Sequence, residues 1–379
     1  MRSDRKINIM HVALSLQVGG LEKVVAESAV GVDKDIFNVE VCCFDDLGFF
    51  AERLVRDGID VTLVRRNQDH YDPLFPIRLG KLLRDKNTHI LHMHSGTFFL
   101  GTQAGLLSGV PIMIYTDHGR HLVEPRMLLA MDRFSGFFAK KIIAVSKELE
   151  RYLTEVVRLP PVKTTTIING IDTKVFSFRE KSLSLLEELN IPATRKIIGT
   201  VGRLVEVKDH VTLIRAFHKV VADEPDVTLL FIGDGPMKSV LQQLVGELGI
   251  IGKVVFAGSR SDVPELLNLL DVFVLTSLSE GTSISLLEAM ASGVVPLVTD
   301  VGGNPSIVNH EHNGLLVKPK DVSRIAESLT HLLHHEDVSA EYRRNAVDTV
   351  KTHFSLDRMI ESYTGVYLDL YEKKYPAWK

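Results

Sequence analysis

The sequence predicts an α/β protein made of two doubly wound, Rossmann-like domains facing a central cleft. Two observations carry that expectation. Short β-branched runs alternate with helix-length amphipathic segments from end to end, the rhythm of parallel sheets covered by helices. The rhythm also runs twice, in a chain of 379 residues that is too long for one average domain. Apolar residues make up 45% and charged residues 24%, the composition of an ordinary globular protein, which excludes disordered and collagen-like chains.

The first set of strands is expected at 7–13, 38–43, 60–63, 90–92, 112–116, 141–145 and 165–168, with helices between them such as 21–30 and 49–57. The second set is expected at 196–201, 228–232, 254–257, 272–275, 294–299 and 315–317. Its helices fall at 209–222, 238–248, 263–269, 285–292 and 321–334. Between the sets, 172–192 carries turn residues and charges without a strong strand, so the boundary is expected near residue 185. A last helix at about 356–373 has no strand after it. In doubly wound sheets ligands bind beyond the carboxyl ends of the strands. Functional residues are therefore sought just after each strand.

The formal charge is −4, so nucleic acid is not an expected partner. Residues 1–180 hold 24 Lys/Arg against 22 Asp/Glu and the remainder 20 against 26, which leaves the first half weakly basic. The two cysteines, Cys42 and Cys43, are adjacent. Neighbours in a strand point to opposite faces and are poorly placed to bridge. With no disulfide framework or zinc spacing, a reducing compartment and a cytoplasmic location are expected. Arg2, Arg5 and Lys6 precede the apolar run 7–16, but Gln17-Val18-Gly19-Gly20 follows where a cleavage site would stand. That pattern reads as strand, glycine loop and helix. Nothing reaches the ~18 apolar residues of a membrane span, and a soluble protein is expected.

Several motifs fail. The nearest phosphate-loop match, Gly246 to Gly252-Lys253, has the wrong spacing and is followed by Val254. Gly233-Asp234-Gly235 follows a strand but leads to Pro236 and Met237, not to a third glycine. A G-x-S-x-G elbow and an H-E-x-x-H pair are absent.

The strongest local signal is the run from Glu280 and Gly281 through Thr282, Ser283, Ile284 and Ser285 to Glu288 and Ala291, directly after the strand 272–275. Ser283 or Ser285 can cap a helix there, and exposed N–H groups at a helix start suit a phosphate. Glu280 and Glu288 are hydroxyl acceptors suited to sugar or ribose, although a solvated loop Glu and a helix-dipole Glu explain them equally well. After the strand ending at Val201 come Arg203 and Lys208, five apart, able to hold a diphosphate from two sides. Together the two segments point to a nucleoside diphosphate. In the first half, Gly19 and Gly20 stand between strand and helix, where a ligand can approach the backbone. His92 and His94 flank a strand end, and His118 follows another strand and precedes Gly119. Most histidines are structural; His118 is the best candidate for an exception.

At this point the chain resembles the family 4 retaining glycosyltransferases of the GT-B fold. The resemblance rests on eight segments in register: Gly19-Gly20, Thr116–Asp117–His118–Gly119, Ala144–Val145–Ser146, Ile168 to Asp172, Gly202–Arg203–Leu204 with Lys208–Asp209, Gly233 to Pro236, Glu280 to Ala291, and Gly302–Gly303–Asn304. The wording around Glu280 is similar to bacterial exopolysaccharide-type members. The resemblance implies an acceptor-binding domain over 1–185, a nucleotide-sugar-binding domain over 186–355, and a helix at 356–379 returning to the first domain. It implies a catalytic set of His118, Glu280, Arg203 and Lys208. Arg203 and Lys208 would hold the diphosphate, Glu288 the ribose, Glu280 the hydroxyls of the donor sugar, and His118 would lie against that sugar. Gly19, Gly20, Gly281, Thr282, Ser283 and Ile284 would complete the donor site. Retention is explained in this family by front-face attack without a protein nucleophile. The implied partners are a UDP- or GDP-sugar donor and a glycan or lipid-linked acceptor, with no cofactor. Members commonly carry Phe-Gly and a Pro after the first Glu-Gly; here the positions read Thr282–Ser283–Ile284–Ser285, which bears on the identity of the sugar.

No metal is expected, since the one D-x-D triplet, Asp33-Lys34-Asp35, precedes a strand. The segment 120–141 mixes basic and apolar residues and offers two readings: a helix packed on its own sheet, which is favoured, or peripheral contact with an anionic bilayer. Two rival functions share the scaffold, a nucleotide-sugar 2-epimerase and a non-catalytic nucleotide-sugar-binding protein. The epimerase has no motif support beyond the fold, and the presence of His118, Arg203, Lys208, Glu280 and Glu288 argues against lost activity.

Overall fold

The computed structural model describes residues 6–67, 72–119 and 125–378, and all counts below refer to them. The chain forms two compact units, residues 1–170 with 356–379, and residues 171–355.

In the first unit the order is β1 (Ile7–Ala13), α1 (Gly20–Gly31), β2 (Phe37–Cys43), α2 (Phe49–Arg56), β3 (Asp60–Leu63), α3 (Phe75–Asp85), β4 (Ile90–His94), α4 (Phe98–Ser108), β5 (Ile112–Asp117), α5 (Arg126–Phe138), β6 (Lys141–Ala144), α6 (Lys147–Arg151) and β7 (Thr164–Thr166). The second unit contains α7 (Leu183–Glu188), β8 (Lys196–Val201), α8 (His210–Asp223), β9 (Val227–Ile232), α9 (Lys238–Glu247), β10 (Val254–Gly258), α10 (Val263–Leu267), β11 (Val272–Leu275), α11 (Ile284–Ala291), β12 (Val295–Thr299), β13 (Leu315–Val317), α12 (Val322–His334) and α13 (Glu336–His353). The last helix, α14 (Leu356–Lys374), belongs to the first unit.

Both sheets are parallel. Their orders are β3-β2-β1-β4-β5-β6-β7 and β10-β9-β8-β11-β12-β13. Winding reverses between β1 and β4 in one and between β8 and β11 in the other, and each reversal opens a crevice at the carboxyl ends of those strands. Strands covered on both faces should be apolar nearly throughout, and β9 and β12 are buried at every position.

The two faces of the first sheet differ. On one, Met10, Val12, Leu91, Met93, Met113 and Tyr115 pack with Phe75, Leu79 and Phe98 of α3 and α4. On the other, Ile7, Ile9 and His11 of β1 alternate with that set, and α14 brings Tyr363 and Tyr367 against His92 at ring separations of 5.6 and 5.7 Å. Gly31 of α1 lets α14 approach, since a Cβ there would fall 2.0 Å from Ile360 Cδ1. Cys42 and Cys43 are free and buried, and burial pushes both thiols up to about 12.

Most expected elements form within a residue or two of their expected ends. The region around residue 185 does not behave as a linker. Arg179 N donates to Asn268 Oδ1 at 2.6 Å, Arg179 pairs with Glu265, and Ser182 caps α7 by accepting from Leu185 N. These bonds lie inside the second unit, so the join falls after Gly170. The charges there are anchored to the second unit. No described helix is long and apolar enough to cross a membrane.

Gly233 has a φ of +142° and rests on the loop after β8: a Cβ at 233 would lie 2.0 Å from Gly202 O. Gly233→Ala should therefore cost about 2 kcal/mol or more, read as a lowered urea midpoint. An unchanged midpoint would contradict this backbone-on-backbone contact.

Candidate functional site

The candidate site of the second unit lies at its winding reversal. After β8 the chain turns through Gly202, at a φ of +153°, into Arg203 and Leu204. Leu204 N donates to Asp234 O at 3.0 Å, and Gly235 sits against the Leu204 backbone. The Gly233-Asp234-Gly235 segment is thus a backbone support for the Arg203 loop. Arg203 itself is exposed and makes no side-chain hydrogen bond or ion pair among the described residues.

After β11 the chain enters the loop that carries Glu280. Lys208 Nζ donates to Glu280 Oε1 at 2.5 Å, and Ser277 Oγ donates to the same oxygen at 2.6 Å. Both charged side chains are largely buried, 20% and 10% exposed. Losing one partner of such a pair strands the other charge, at a cost of ~3–5 kcal/mol in buried cases. Oε1 takes both bonds, so Oε2 is the atom left to accept from a ligand. The two loops are stitched further by Thr276 Oγ1, which donates to the carbonyls of Lys208 and Asp209, and by Leu278 N donating to Val207 O at 2.8 Å.

Gly302 and Gly303 clamp this loop from behind. Gly302 has a φ of +56°, and a Cβ there would lie 1.8 Å from Glu280 O. Gly303 N donates to Gly281 O at 3.0 Å, and Asn304 Nδ2 to Thr299 O at 2.9 Å. Thr282, Ser283 and Ile284 are buried and lead into α11, where Ser283 is the cap, its Oγ accepting from Leu286 N. The helix is apolar nearly all round, which suits its burial. Glu288 is 6% exposed within it.

In the first unit, Gly19 is the cap of α1 with a φ of −174°, extended backbone that any residue adopts. Glu22 folds over the start of α1, Oε2 lying 2.2 Å from where a Gly19 Cβ would stand. The structure therefore places a carboxylate beside Gly19 and Gly20.

His118 follows β5, half-buried, with its backbone N donating to Ser95 Oγ at 2.8 Å. Its Nε2 is 2.9 Å from His94 Nδ1, and His94 Nε2 is 3.0 Å from His11 Nδ1. His92 lies alongside, with Nδ1 on Tyr367 OH and Nε2 on Thr116 Oγ1, both at 2.7 Å. Burial lowers His11 and His118 to about 3 and holds His92 and His94 well below the usual histidine range. His11, His92 and His94 also bring ligand-type nitrogens within 4.8 Å of one another. Their facing nitrogens are engaged with each other, with Thr116 and with Tyr367 in the bonds just given.

The sequence model of glycosyl transferases group 1 matches residues 184–349, and that of glycosyltransferase family 4 matches residues 18–175. N-acetyl-alpha-D-glucosaminyl L-malate synthase of Bacillus anthracis is 30% identical over 306 residues, covering 79% of this chain and 80% of that protein. The chain belongs to the family 4 glycosyltransferases. This glycosyltransferase is also 25% identical, over 97% of its length and 98% of the relative's, to UDP-Gal:alpha-D-GlcNAc-diphosphoundecaprenol alpha-1,3-galactosyltransferase of Escherichia coli. Among solved structures, Anabaena HepE in complex with UDP and glucose superposes with a TM-score of 0.86 at 21% identity, over 95% of this chain and 99% of that one. That likeness establishes the two-domain GT-B fold.

Sequence reasoning singled out His118 but passed over His11 as a partner. The available signal was a histidine at an inward position of β1, on the alternation of Ile7 and Ile9.

The four neutral histidines fix a pH dependence. Unfolded, each takes up a proton near pH 6.5; folded, His11 and His118 do so only near 3. Stability is therefore fully present above about 6.5 and is lost as pH falls from there towards 3, by up to about 1.4 kcal/mol per pH unit for each histidine. Urea midpoints between pH 7.5 and 5 check this, and a flat profile would contradict the buried neutral cluster.

Proposed function

We propose that this glycosyltransferase moves a hexosyl group, with retention, from a UDP-sugar to a lipid-linked glycan acceptor. The observation that carries the donor half is the convergence, after β8 and β11, of an exposed Arg203, unpaired among the described residues, the Lys208–Glu280 pair and the start of α11. Arg203 and Lys208 supply positive charge for a diphosphate, and backbone N–H groups over Gly281 to Ile284 add to it at the helix start. As the bond to the sugar breaks, negative charge grows on the leaving diphosphate, and fixed cations there stabilise the transition state more than the ground state. These cations do for the leaving group what a metal does elsewhere, so no metal or other cofactor is assigned.

Glu280 accepts donor-sugar hydroxyls through Oε2, and Glu288 the ribose hydroxyls. His118 hydrogen-bonds the donor sugar from the first unit. Gly19 and Gly20 let a donor phosphate approach the backbone at the start of α1. The second unit takes the donor and the first the acceptor. UDP is preferred to GDP because the Escherichia coli relative is named for a UDP-sugar donor. The lipid-linked acceptor follows the same relative, whose name gives a diphosphoundecaprenol acceptor. Retention follows from the family resemblance.

Titration calorimetry tests the donor site. UDP should bind in preference to GDP, be indifferent to EDTA, and weaken about 10–100-fold in Arg203→Ala, the range of one charge-assisted contact. Proton NMR of the product should show the donor's anomeric configuration retained. Stronger GDP binding, an inverted product, or a rearranged sugar formed without acceptor would each overturn the corresponding part.

A second reading concerns the membrane. Met127 and Phe137 of α5 are each 74% exposed, with Leu128 and Phe134 also exposed and Arg126, Arg133 and Lys140 interleaved. Residues 120–124 of the segment first considered lie outside the described residues. This face would rest on an anionic leaflet at the cytoplasmic side and bring the enzyme to a lipid-linked acceptor. The protein should sediment with anionic liposomes at low salt and release at high salt; no sedimentation at low salt removes this reading.

A further inference from the structure

The Glu280 carboxylate is held by donors of two different kinds, Lys208 Nζ at 2.5 Å and Ser277 Oγ at 2.6 Å, both on Oε1. The ammonium ends a flexible four-carbon stem. The hydroxyl is fixed to the sheet. Ser277 stands two residues past the end of β11 and is 0% exposed. Its carbonyl accepts from Thr299 Oγ1 at 2.7 Å, so the last residue of β12 pins the backbone that carries the hydroxyl. The Lys208 backbone is also held, by Thr276 Oγ1 on its own carbonyl and by Leu278 N on the Val207 carbonyl. Gly303 N donates to the carbonyls of Glu280 and Gly281. What freedom remains around Glu280 lies in the Lys208 stem.

That freedom has a consequence for binding. Lys208 is paired with Glu280 in the structure, and in the function proposed above it also serves a diphosphate. A diphosphate carries more charge than a carboxylate, so it draws Nζ towards itself and weakens the bond to Oε1. The same diphosphate repels the carboxylate. A Glu280 tied to Lys208 alone would then turn about its side-chain torsions, and the oxygen facing the sugar would change. The Ser277 hydroxyl is neutral, buried and rooted in the sheet, and its bond to Oε1 does not depend on where Lys208 goes. Oε2, which has no hydrogen-bond partner among the described residues, keeps its direction as long as Oε1 is held.

We propose that Ser277 is a positioning residue that keeps Glu280 in place as Lys208 turns to the diphosphate, so that Oε2 remains presented to a hydroxyl of the donor sugar. The proposal rests on the reading of Lys208 as a diphosphate contact and of Glu280 as a sugar contact, and all of its residues lie in the second unit. Ser277 then contributes to binding of the sugar and not of the nucleotide. Glu280, for its part, competes with the diphosphate for Lys208 and weakens binding of a nucleotide that carries no sugar. A serine that merely completed the loop fold would affect nucleotide and nucleotide-sugar alike.

The test is titration calorimetry of the full chain with UDP, UDP-glucose and UDP-galactose, reading for each variant the change in Kd from wild type for UDP and for the tighter of the two UDP-hexoses. Ser277→Ala should bind UDP within about twofold of wild type and the UDP-hexose about 3–10-fold more weakly, the size of one neutral hydrogen bond. Ser277→Thr, which keeps the hydroxyl, should recover most of the loss. Glu280→Gln should bind UDP about threefold or more tightly than wild type, because an amide holds an ammonium less strongly than a carboxylate does. Equal weakening of UDP and UDP-hexose in Ser277→Ala, or no weakening of either, would overturn the proposal. UDP binding in Glu280→Gln no tighter than wild type would show that Lys208 is not shared, and would overturn it as well. Should Ser277→Ala fail to fold, Ser277→Cys, a weaker donor close in size, is read in the same way. UDP binding unchanged in Lys208→Ala would sink the diphosphate reading itself and the proposal with it. UDP binding that does depend on Lys208, with no split in Ser277→Ala, overturns the assignment of Ser277 alone.

Discussion

Strands β8 and β11 run side by side only through Ile198–Val272 and Gly199–Phe273, and then they part. They part because β9 and β10 continue on one side while β12 and β13 continue on the other. Everything in the candidate site of the second unit depends on that divergence. It leaves two loops, at Gly202–Asp209 and Ser277–Ile284, whose backbones cannot be joined by a sheet ladder. Glycines let them stack on backbone instead, at Gly233 and Gly302, and the Lys208–Glu280 pair closes the gap with charge. A pair so placed has two uses. It holds the loops at a fixed separation, and it engages only one of the two Glu280 carboxylate oxygens.

The first unit meets the same divergence between β1 and β4 but fills it differently. There the inward face near the strand ends carries imidazoles, capped by the tyrosines of α14. A polar cluster under a sheet costs stability unless its groups are bonded to each other, and among the described residues these imidazoles are, except at His11 Nε2 and His118 Nδ1. The second unit thus carries a charged, partly open cluster and the first a neutral, buried one.

Much of this was legible in the sequence. Apolar runs such as Ile7–Ala13 and Val272–Leu275 defined strands because a doubly covered parallel sheet tolerates little else, and Glu280 with Arg203 stood out because they follow strands. The burial of Glu288 was not legible, since helix periodicity alone does not say which side of α11 is covered. Residue 185 looked like a linker because its neighbours are charged, yet Arg179 and Lys181 spend those charges on Glu265 and Asp271. The direct Lys208–Glu280 pairing was hidden as well, because the two stand in loops far apart in sequence. His11 escaped notice for a related reason. One histidine in an apolar strand reads as a tolerated core residue until its partners on β4 and after β5 are in view.

The central claim is that the reversal between β8 and β11 is the seat of the donor diphosphate. A crystal structure of the protein with UDP bound tests it most directly. The account predicts diphosphate oxygens within hydrogen-bond distance of Arg203 and Lys208, and ribose hydroxyls on Glu288. A nucleotide bound elsewhere on the chain, with the Arg203 loop and the start of α11 empty, would contradict it.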